Sequence, residues 1–124
     1  MNPYLFVYGT LKSDFDRRAA NYLRSKSELV GPGKINGALY GLGSYPALVL
    51  NGGQEEFVYG EVYCLNDPAT VFQVLDRYEG AEYRRLELSV FMEKEPISAW
   101  AYEYLLNAEQ YPKIREGLYR NTSY

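Results

Sequence analysis

Two stretches of this chain carry residues whose types and spacing suit chemistry. The first is Tyr8-Gly9-Thr10-Leu11-Lys12, where a strand-like apolar run stops at a glycine and hydroxyl, apolar and basic residues follow. A glycine lets the backbone come close to a ligand. Exposed backbone N–H groups in such a turn can bind an anion such as a carboxylate. The same strand–Gly–Thr turn is also a common connector with no ligand at all. The second stretch is Leu75-Asp76-Arg77-Tyr78-Glu79-Gly80. Glu79 stands at the C-terminal end of a predicted helix, where the helix dipole opposes a further negative charge by roughly 0.3–1 kcal/mol. Asp76, three residues earlier, lies on the same side and repels it further. Both effects raise the carboxyl pKa and make a stronger base. Burial would add to them, whereas Arg77 or Arg84 would undo them. Read by itself, Glu79 is also a solvated helix-end glutamate, since location in a cleft is what makes a perturbed carboxylate informative. Glu82 is the main competitor, without the helix-end context.

What is missing narrows the chemistry. The chain has no histidine and one cysteine, Cys64. Histidine-based nucleophile pairs and nearly every transition-metal site are thereby removed, as are thiolate metal sites and an intramolecular disulfide. No metal or cofactor is expected. Proton movement falls to carboxylates, tyrosines, lysines or Cys64. Cys64 lies within a predicted strand and is expected in the core. Tyrosine occurs 14 times; most copies suit strands and amphipathic surfaces rather than catalysis. Lys12 and Arg84 are expected to be solvated.

Composition sets the frame. The 124 residues are 47% hydrophobic and 23% charged, the balance of one globular domain over residues 1–124. The net charge of −3 and the two short basic pairs, Arg17-Arg18 and Arg84-Arg85, argue against a nucleic-acid partner. No apolar run approaches the ~20 residues of a membrane helix. The start, Met1-Asn2-Pro3-Tyr4, lacks a basic segment followed by an export-type apolar stretch. A lone cysteine fits a reducing compartment, so a cytoplasmic location is expected, with no membrane partner.

The elements that must position these residues follow from patterning. Tyr4 to Tyr8 reads as a fully buried strand ended by Gly9. Asp14 to Leu23 reads as a helix with Asp14 or Asp16 near its start. Leu29 to Leu50 is punctuated by Gly31, Gly33, Gly37, Gly41 and Gly43, as short strands broken by turns or bulges are, with strands over Ile35 to Leu42 and Ala47 to Leu50. Asn51-Gly52-Gly53 is a turn signal. Phe57 to Leu65 is a strand with Val58, Gly60, Val62 and Cys64 on one side. Asp67 is an N-cap, Pro68 the first helical residue and Gly80 the residue past the end, so a helix runs from Pro68 to Glu79. Val71, Val74, Leu75 and Tyr78 mark its buried stripe. Tyr83 to Phe91 and Ile97 to Leu106 are further strands, the former with Leu86, Leu88 and Val90 on one face, and Gln110 to Leu118 a final short helix. Strands in adjacent pairs predict an α+β fold: a small, mostly antiparallel curled sheet or β-barrel of about six or seven strands, flanked by two or three helices.

Taken together, the motifs are specific. Phe6-Val7-Tyr8-Gly9-Thr10-Leu11-Lys12, Gly43-Ser44-Tyr45-Pro46-Ala47, Val58-Tyr59-Gly60-Glu61-Val62-Tyr63, Leu75-Asp76-Arg77-Tyr78-Glu79-Gly80, Tyr83-Arg84-Arg85 and Ala99-Trp100-Ala101-Tyr102-Glu103-Tyr104 occur in that order over nearly the whole chain. The ordered set resembles the gamma-glutamylcyclotransferase-like (AIG2-like) family, and in its motifs the gamma-glutamylamine cyclotransferases. The resemblance implies a β-barrel flanked by helices. It also implies a reaction that converts a gamma-glutamyl amine or peptide to 5-oxoproline, releasing the amine or amino acid. By that resemblance Glu79 is the general acid/base, and Tyr8, Gly9, Thr10 and Leu11 hold the glutamyl part of the substrate. Tyr45 and Tyr83 are expected to line the pocket, and Glu82 lies outside the motif position. The substrate's own α-amine is the nucleophile in such a reaction, which suits a chain without histidine. The expected partner is the small-molecule substrate, and the expected state a monomer or small homo-oligomer. A non-catalytic module that binds a small metabolite in the same pocket is the alternative, because a fold does not fix a function.

Overall fold

A computed structural model of the chain describes residues 1–50 and 55–121; the Asn51-Gly52-Gly53 turn lies outside them. Among the described residues there are seven strands and two helices: β1 Tyr4–Val7, α1 Arg18–Ser25, β2 Ser27–Asn36, β3 Ala38–Gly41, β4 Pro46–Val49, β5 Phe57–Leu65, α2 Pro68–Glu79, β6 Tyr83–Val90 and β7 Ile97–Tyr104. Five strands form one curled sheet in the order β2-β5-β1-β7-β6, and β3 and β4 form a separate hairpin. All pairings are antiparallel except β1 with β7. The curl brings the two edge strands together at a single bridge, Lys34 to Phe91. Its two hydrogen bonds, 3.0 and 2.8 Å, do not grow into a ladder, so the barrel stays open.

Strand β1 is the centre of the molecule and explains the continuous apolar run seen in the sequence. Alternate side chains of a strand point to opposite faces. Leu5 and Val7 pack under the helices with Leu23, Tyr63, Leu65, Val71, Phe72 and Leu75. Phe6 and Tyr8 point into the curl with Ile35, Leu39, Leu48, Val58, Val62 and Ala101. Both faces are covered, so neither alternates with polar residues. The same geometry demands Gly60 on β5. A Cβ there would stand 2.1 Å from the Val7 carbonyl oxygen and 2.8 Å from the Phe6 ring.

Helix α2 starts and stops where its caps place it. The Asp67 carboxylate accepts from the Thr70 N–H at 3.4 Å and from its hydroxyl at 2.8 Å. Pro68 takes the first turn, where a missing N–H costs nothing. Gly80 ends the helix at φ 81°, a conformation open to glycine, and its N–H donates to the Asp76 carbonyl. The buried stripe differs from the expected one. Val71, Phe72 and Leu75 are buried, while Val74 and Tyr78 are 41% and 43% exposed. The sheet meets a face of the helix rotated by about one residue, and Glu79, four after Leu75, turns inward with it.

Other expectations are corrected. Residues 14–17 are not helical: α1 begins at Arg18 and its N-cap, Arg17, makes no side-chain cap. Asp16 accepts from Asn21 instead, and Asp14 faces Lys12 at 3.7 Å. The strand expected from Ile35 to Leu42 breaks at Gly37 into β2 and β3; β2 begins earlier, at Ser27, and shifts register between Leu29 and Gly31. The strand expected to reach Leu106 ends at Tyr104. No helix forms over residues 110–118. Pro112 lends no N–H, its carbonyl accepts from Gly41, and the Ile114 N–H donates to Leu39, so the segment lies along β3 as an extended strap. Cys64 is half-buried rather than core, because it sits on the Val58 and Val62 face but beyond the interior cluster those residues close. Lys12 is 5% exposed, not solvated. No helix is long and apolar enough to cross a membrane among the described residues.

The Gly60 position yields a stability test. Gly60→Ala should lower the unfolding free energy by about 1–3 kcal/mol, as overpacked sites do. Equilibrium denaturation against the parent chain checks this; an unchanged midpoint would mean that β1 and β5 separate freely there.

Candidate active site

The C-terminal ends of β1 and α2 meet at one recess. Phe6, Val7, Tyr8, Gly9, Thr10 and Leu11 form one wall, Tyr45 and Pro46 a second, and Glu79, Tyr83 and Tyr102 the remainder. It is small, about 30 Å³, room for roughly two waters or one small polar group. A larger cavity of about 310 Å³ shares Thr10, Tyr45, Glu79 and Tyr83 with it and adds Tyr78 and Glu82. The residues that the resemblance points to, Tyr8, Gly9, Thr10, Leu11, Tyr45, Glu79 and Tyr83, all line the same recess, whereas Glu82 lines only the outer cavity.

The loop after β1 is a turn closed by the Lys12 N–H donating to the Gly9 carbonyl at 3.1 Å. A turn of this kind leaves the N–H groups of its central residues, Thr10 and Leu11, outside its own hydrogen bond. Gly9 has no positive φ; it is needed for space. A Cβ would stand 2.7 Å from Pro46 Cγ. The loop is clamped from behind. Glu61 on β5 accepts from the Ser13 N–H at 2.7 Å and from its hydroxyl at 2.5 Å. Arg24 on α1 donates to the carbonyls of Lys12 and Phe15.

Glu79 has no hydrogen-bond or ion-pair partner among the described residues, although tyrosines surround it. Their hydroxyl protons go elsewhere. Tyr8 donates to the Tyr102 carbonyl at 2.5 Å. Tyr83 donates to the Pro46 carbonyl at 2.7 Å. Tyr102 donates to the Asp76 carboxylate at 2.6 Å. Burial, and then the charge of Asp76, push the Glu79 carboxyl up to about 7. Burial thus outweighs the Asp76 effect read from the sequence. Burial raises the Tyr8, Tyr83 and Tyr102 hydroxyls too, and the Glu79 charge contributes to each.

Asp76 shows the opposite outcome on the same helix. Burial opposes its charge, but hydrogen bonds from Arg85 and Tyr102 hold the carboxyl below its usual range. Arg85 reaches it at 2.9 Å and lies over the Phe72 and Trp100 rings. Arg84 pairs with Glu103 at 3.0 Å and does not neutralise Glu79. Three features were missed in the sequence. Tyr102 lines the recess while bonding both Tyr8 and Asp76; its place on the buried face of β7 was the available signal. The Thr10 and Tyr78 hydroxyls share a hydrogen bond of 2.9 Å at the mouth. Pro46 supplies both a wall and an acceptor.

The family model for gamma-glutamyl cyclotransferase, AIG2-like, matches residues 5–121. YkqA from Bacillus subtilis is 27% identical, with a TM-score of 0.77; the match covers 96% of this chain, which spans 40% of YkqA. The protein ytfP from Escherichia coli is 31% identical, with a TM-score of 0.65, covering 92% of this chain and 93% of its own. An AIG2-like protein from Mus musculus is 22% identical, with a TM-score of 0.73 and coverage of 98% and 96%. No curated protein matches the chain.

The Glu79 environment sets a pH dependence of stability. The folded carboxyl titrates at about 7, above its ordinary value. Between the two values the folded chain keeps a proton that the unfolded chain has released, so this group's contribution is intact at low pH and is lost as pH rises through about 7. Glu79→Gln removes the buried charge. Relative to the parent, it should gain roughly 2–3 kcal/mol of stability between pH 5 and pH 8. Denaturant titrations of both chains at both pH values measure it; a constant gap would mean a solvated Glu79.

Proposed function

The chain belongs to the gamma-glutamyl cyclotransferase, AIG2-like family, and on that premise we propose that it converts a gamma-glutamyl amine or peptide to 5-oxoproline and a free amine or amino acid. The observation that carries this reading is the half-buried, unpartnered Glu79 carboxylate, poised at about 7, in the same recess as the Gly9–Lys12 turn.

The substrate's α-ammonium must lose a proton before it can attack. Glu79 takes that proton. The freed amine adds to the γ-carbonyl carbon and a new C–N bond closes the five-membered ring. Glu79 then returns the proton to the leaving nitrogen as the original amide C–N bond breaks, and the extra proton on the ring nitrogen passes by the same carboxylate to the departing amine, which leaves as an ammonium. Atoms and charge balance with no co-reactant, and the carboxyl ends as it began. A base titrating near neutrality suits both halves of this exchange. Absence of a hydrogen-bond partner leaves the carboxylate free for the substrate's ammonium.

The turn has a different task. The N–H groups of Thr10 and Leu11 bind the α-carboxylate, and the recess forces the flexible glutamyl chain to curl so that amine and γ-carbonyl approach. Such orientation replaces entropy that the free substrate would lose in the transition state. Tyr8, Tyr45 and Tyr83 exclude water around the ring that forms.

The test is release of 5-oxoproline from a panel of gamma-glutamyl amines and peptides. Glu79→Gln should lower kcat/KM by about 10²–10⁴-fold, the range for a positioned acid/base. In the parent chain, kcat/KM should rise with pH to a plateau above about 7, as the carboxyl ionises. Binding of the panel without turnover by folded protein would leave a metabolite-binding module instead.

A further inference from the structure

Helices α1 and α2 leave a groove between them on the outside of the fold. Arg17, Arg18, Ala19 and Tyr22 form one bank, Val74 and Tyr78 the other, and its volume is about 530 Å³. Val74 and Tyr78 stand one helical turn apart, as do Arg18 and Tyr22, so each bank presents one stripe. Patterning assigns Val74 and Tyr78 to a buried face, yet the rotation of α2 leaves them 41% and 43% exposed.

Charge sets this groove apart. The chain carries a net charge of −3, but α1 contains no acidic residue and neither bank carries a carboxylate. Arg17, Arg18 and Arg77, the last three residues beyond Val74, are exposed and make no ion pair among the described residues. The Phe15 ring, 5.5 Å from the Arg17 guanidinium, restrains that side chain. The carboxylates closest along the chain are engaged. Asp14 faces Lys12, Asp16 accepts from Asn21 and Asp67 caps α2. Asp76 points to Tyr102 and Glu79 to the recess, both away from α1.

The groove is therefore a local cationic field, opposite in sign to the whole molecule, around exposed apolar and aromatic side chains. Arginine and tyrosine in such a setting are the residues that recur where protein segments bind. A nucleic acid would need a longer run of cations. A membrane surface takes an apolar face that projects into it, whereas these side chains line a concavity.

We propose that the α1–α2 groove docks a short acidic segment of another protein, its carboxylates on Arg17 and Arg18 and an apolar residue between Tyr22 and Val74. The groove shares Tyr78 alone with the outer cavity, and the Tyr78 hydroxyl bonds Thr10. A docked segment thus lies beside the mouth of the recess without entering it. Docking there does not depend on the reaction assigned to the recess.

The probe is a short peptide in which aspartates and glutamates flank a tryptophan and a leucine, acetylated and amidated to remove its terminal charges. Titrated into the protein and followed by backbone amide NMR, it should bind with a Kd on the order of 100 µM, as a small interface does. The shifts should centre on residues 17–22 and 74–78. The same peptide with lysine at each acidic position should bind about tenfold more weakly or worse. Arg17→Glu combined with Arg18→Glu should weaken the acidic peptide by about tenfold, the scale of two exposed ion pairs lost and reversed. Val74→Asp should weaken it similarly, and all three positions are exposed, so the unfolding midpoints should match the parent's. Equal affinity for the two peptides, a comparison that needs no variant, overturns the proposal. Absence of binding at millimolar peptide does so too, as do shifts confined to Gly9–Leu11 and Tyr83, which would put the peptide in the recess. Tighter binding of a thymidine oligonucleotide, or of phosphatidylserine vesicles, than of the acidic peptide overturns it in favour of a nucleic acid or a membrane.

Discussion

The Glu79 carboxylate is held half-buried at a helix end with nothing to hydrogen-bond it among the described residues. Burying an unpaired carboxylate is unfavourable, and the usual relief is a hydrogen bond or a neutralising cation. Hydroxyls from Tyr8, Tyr83 and Tyr102 surround the group, yet each donates to another fixed acceptor. The rings of Tyr8, Tyr45, Tyr83 and Tyr102 line the recess that Glu79 faces. The relief the protein leaves open is protonation, and the carboxyl is accordingly pushed up to about 7.

Keeping the tyrosines turned away requires the rest of the architecture. Tyr102 links the two halves of the recess. Its carbonyl accepts from Tyr8 at the end of β1, and its hydroxyl donates to Asp76 on α2. Arg85 completes the arrangement by pairing with Asp76. Two carboxylates three residues apart thus reach opposite states by the same rule: the hydrogen-bonded one titrates low, the unpartnered one high. The pairing of Arg85 with Asp76 and of Arg84 with Glu103 also explains why a cation-rich β6 does not neutralise Glu79.

Packing sets the other half. Strand β1 is buried on both faces and holds the start of the loop, while Glu61 and Arg24 hold its end. The loop therefore has little freedom to collapse into the recess it borders. Gly9 contributes by absence: without a Cβ, the Pro46 ring can close the wall. The edge strands touch at Lys34 and Phe91, away from this recess, so the open barrel does not disturb it.

Local patterns carried a large part of this in the sequence. The caps Asp67, Pro68 and Gly80 bound α2 because capping is chemistry between residues within one turn of each other. The strand from Phe57 to Leu65 was legible from its composition. The motif residues Tyr8 to Leu11 and Glu79 could be named from their order along the chain. Long-range contacts decided the rest. Residues 110–118 have a plausible helical composition, but Pro112 and Ile114 bond to β3 instead. Lys12 reads as solvated and is buried. The stripe of α2 could be guessed, but not its rotation by one residue, and that rotation is what turns Glu79 inward while exposing Val74 and Tyr78. The sequence by itself determined which residues were available and where the helix would end. Only the tertiary structure decided that Glu79 would be desolvated and left without a partner, because desolvation depends on which surfaces meet across the fold, and the tyrosines around it come from distant segments.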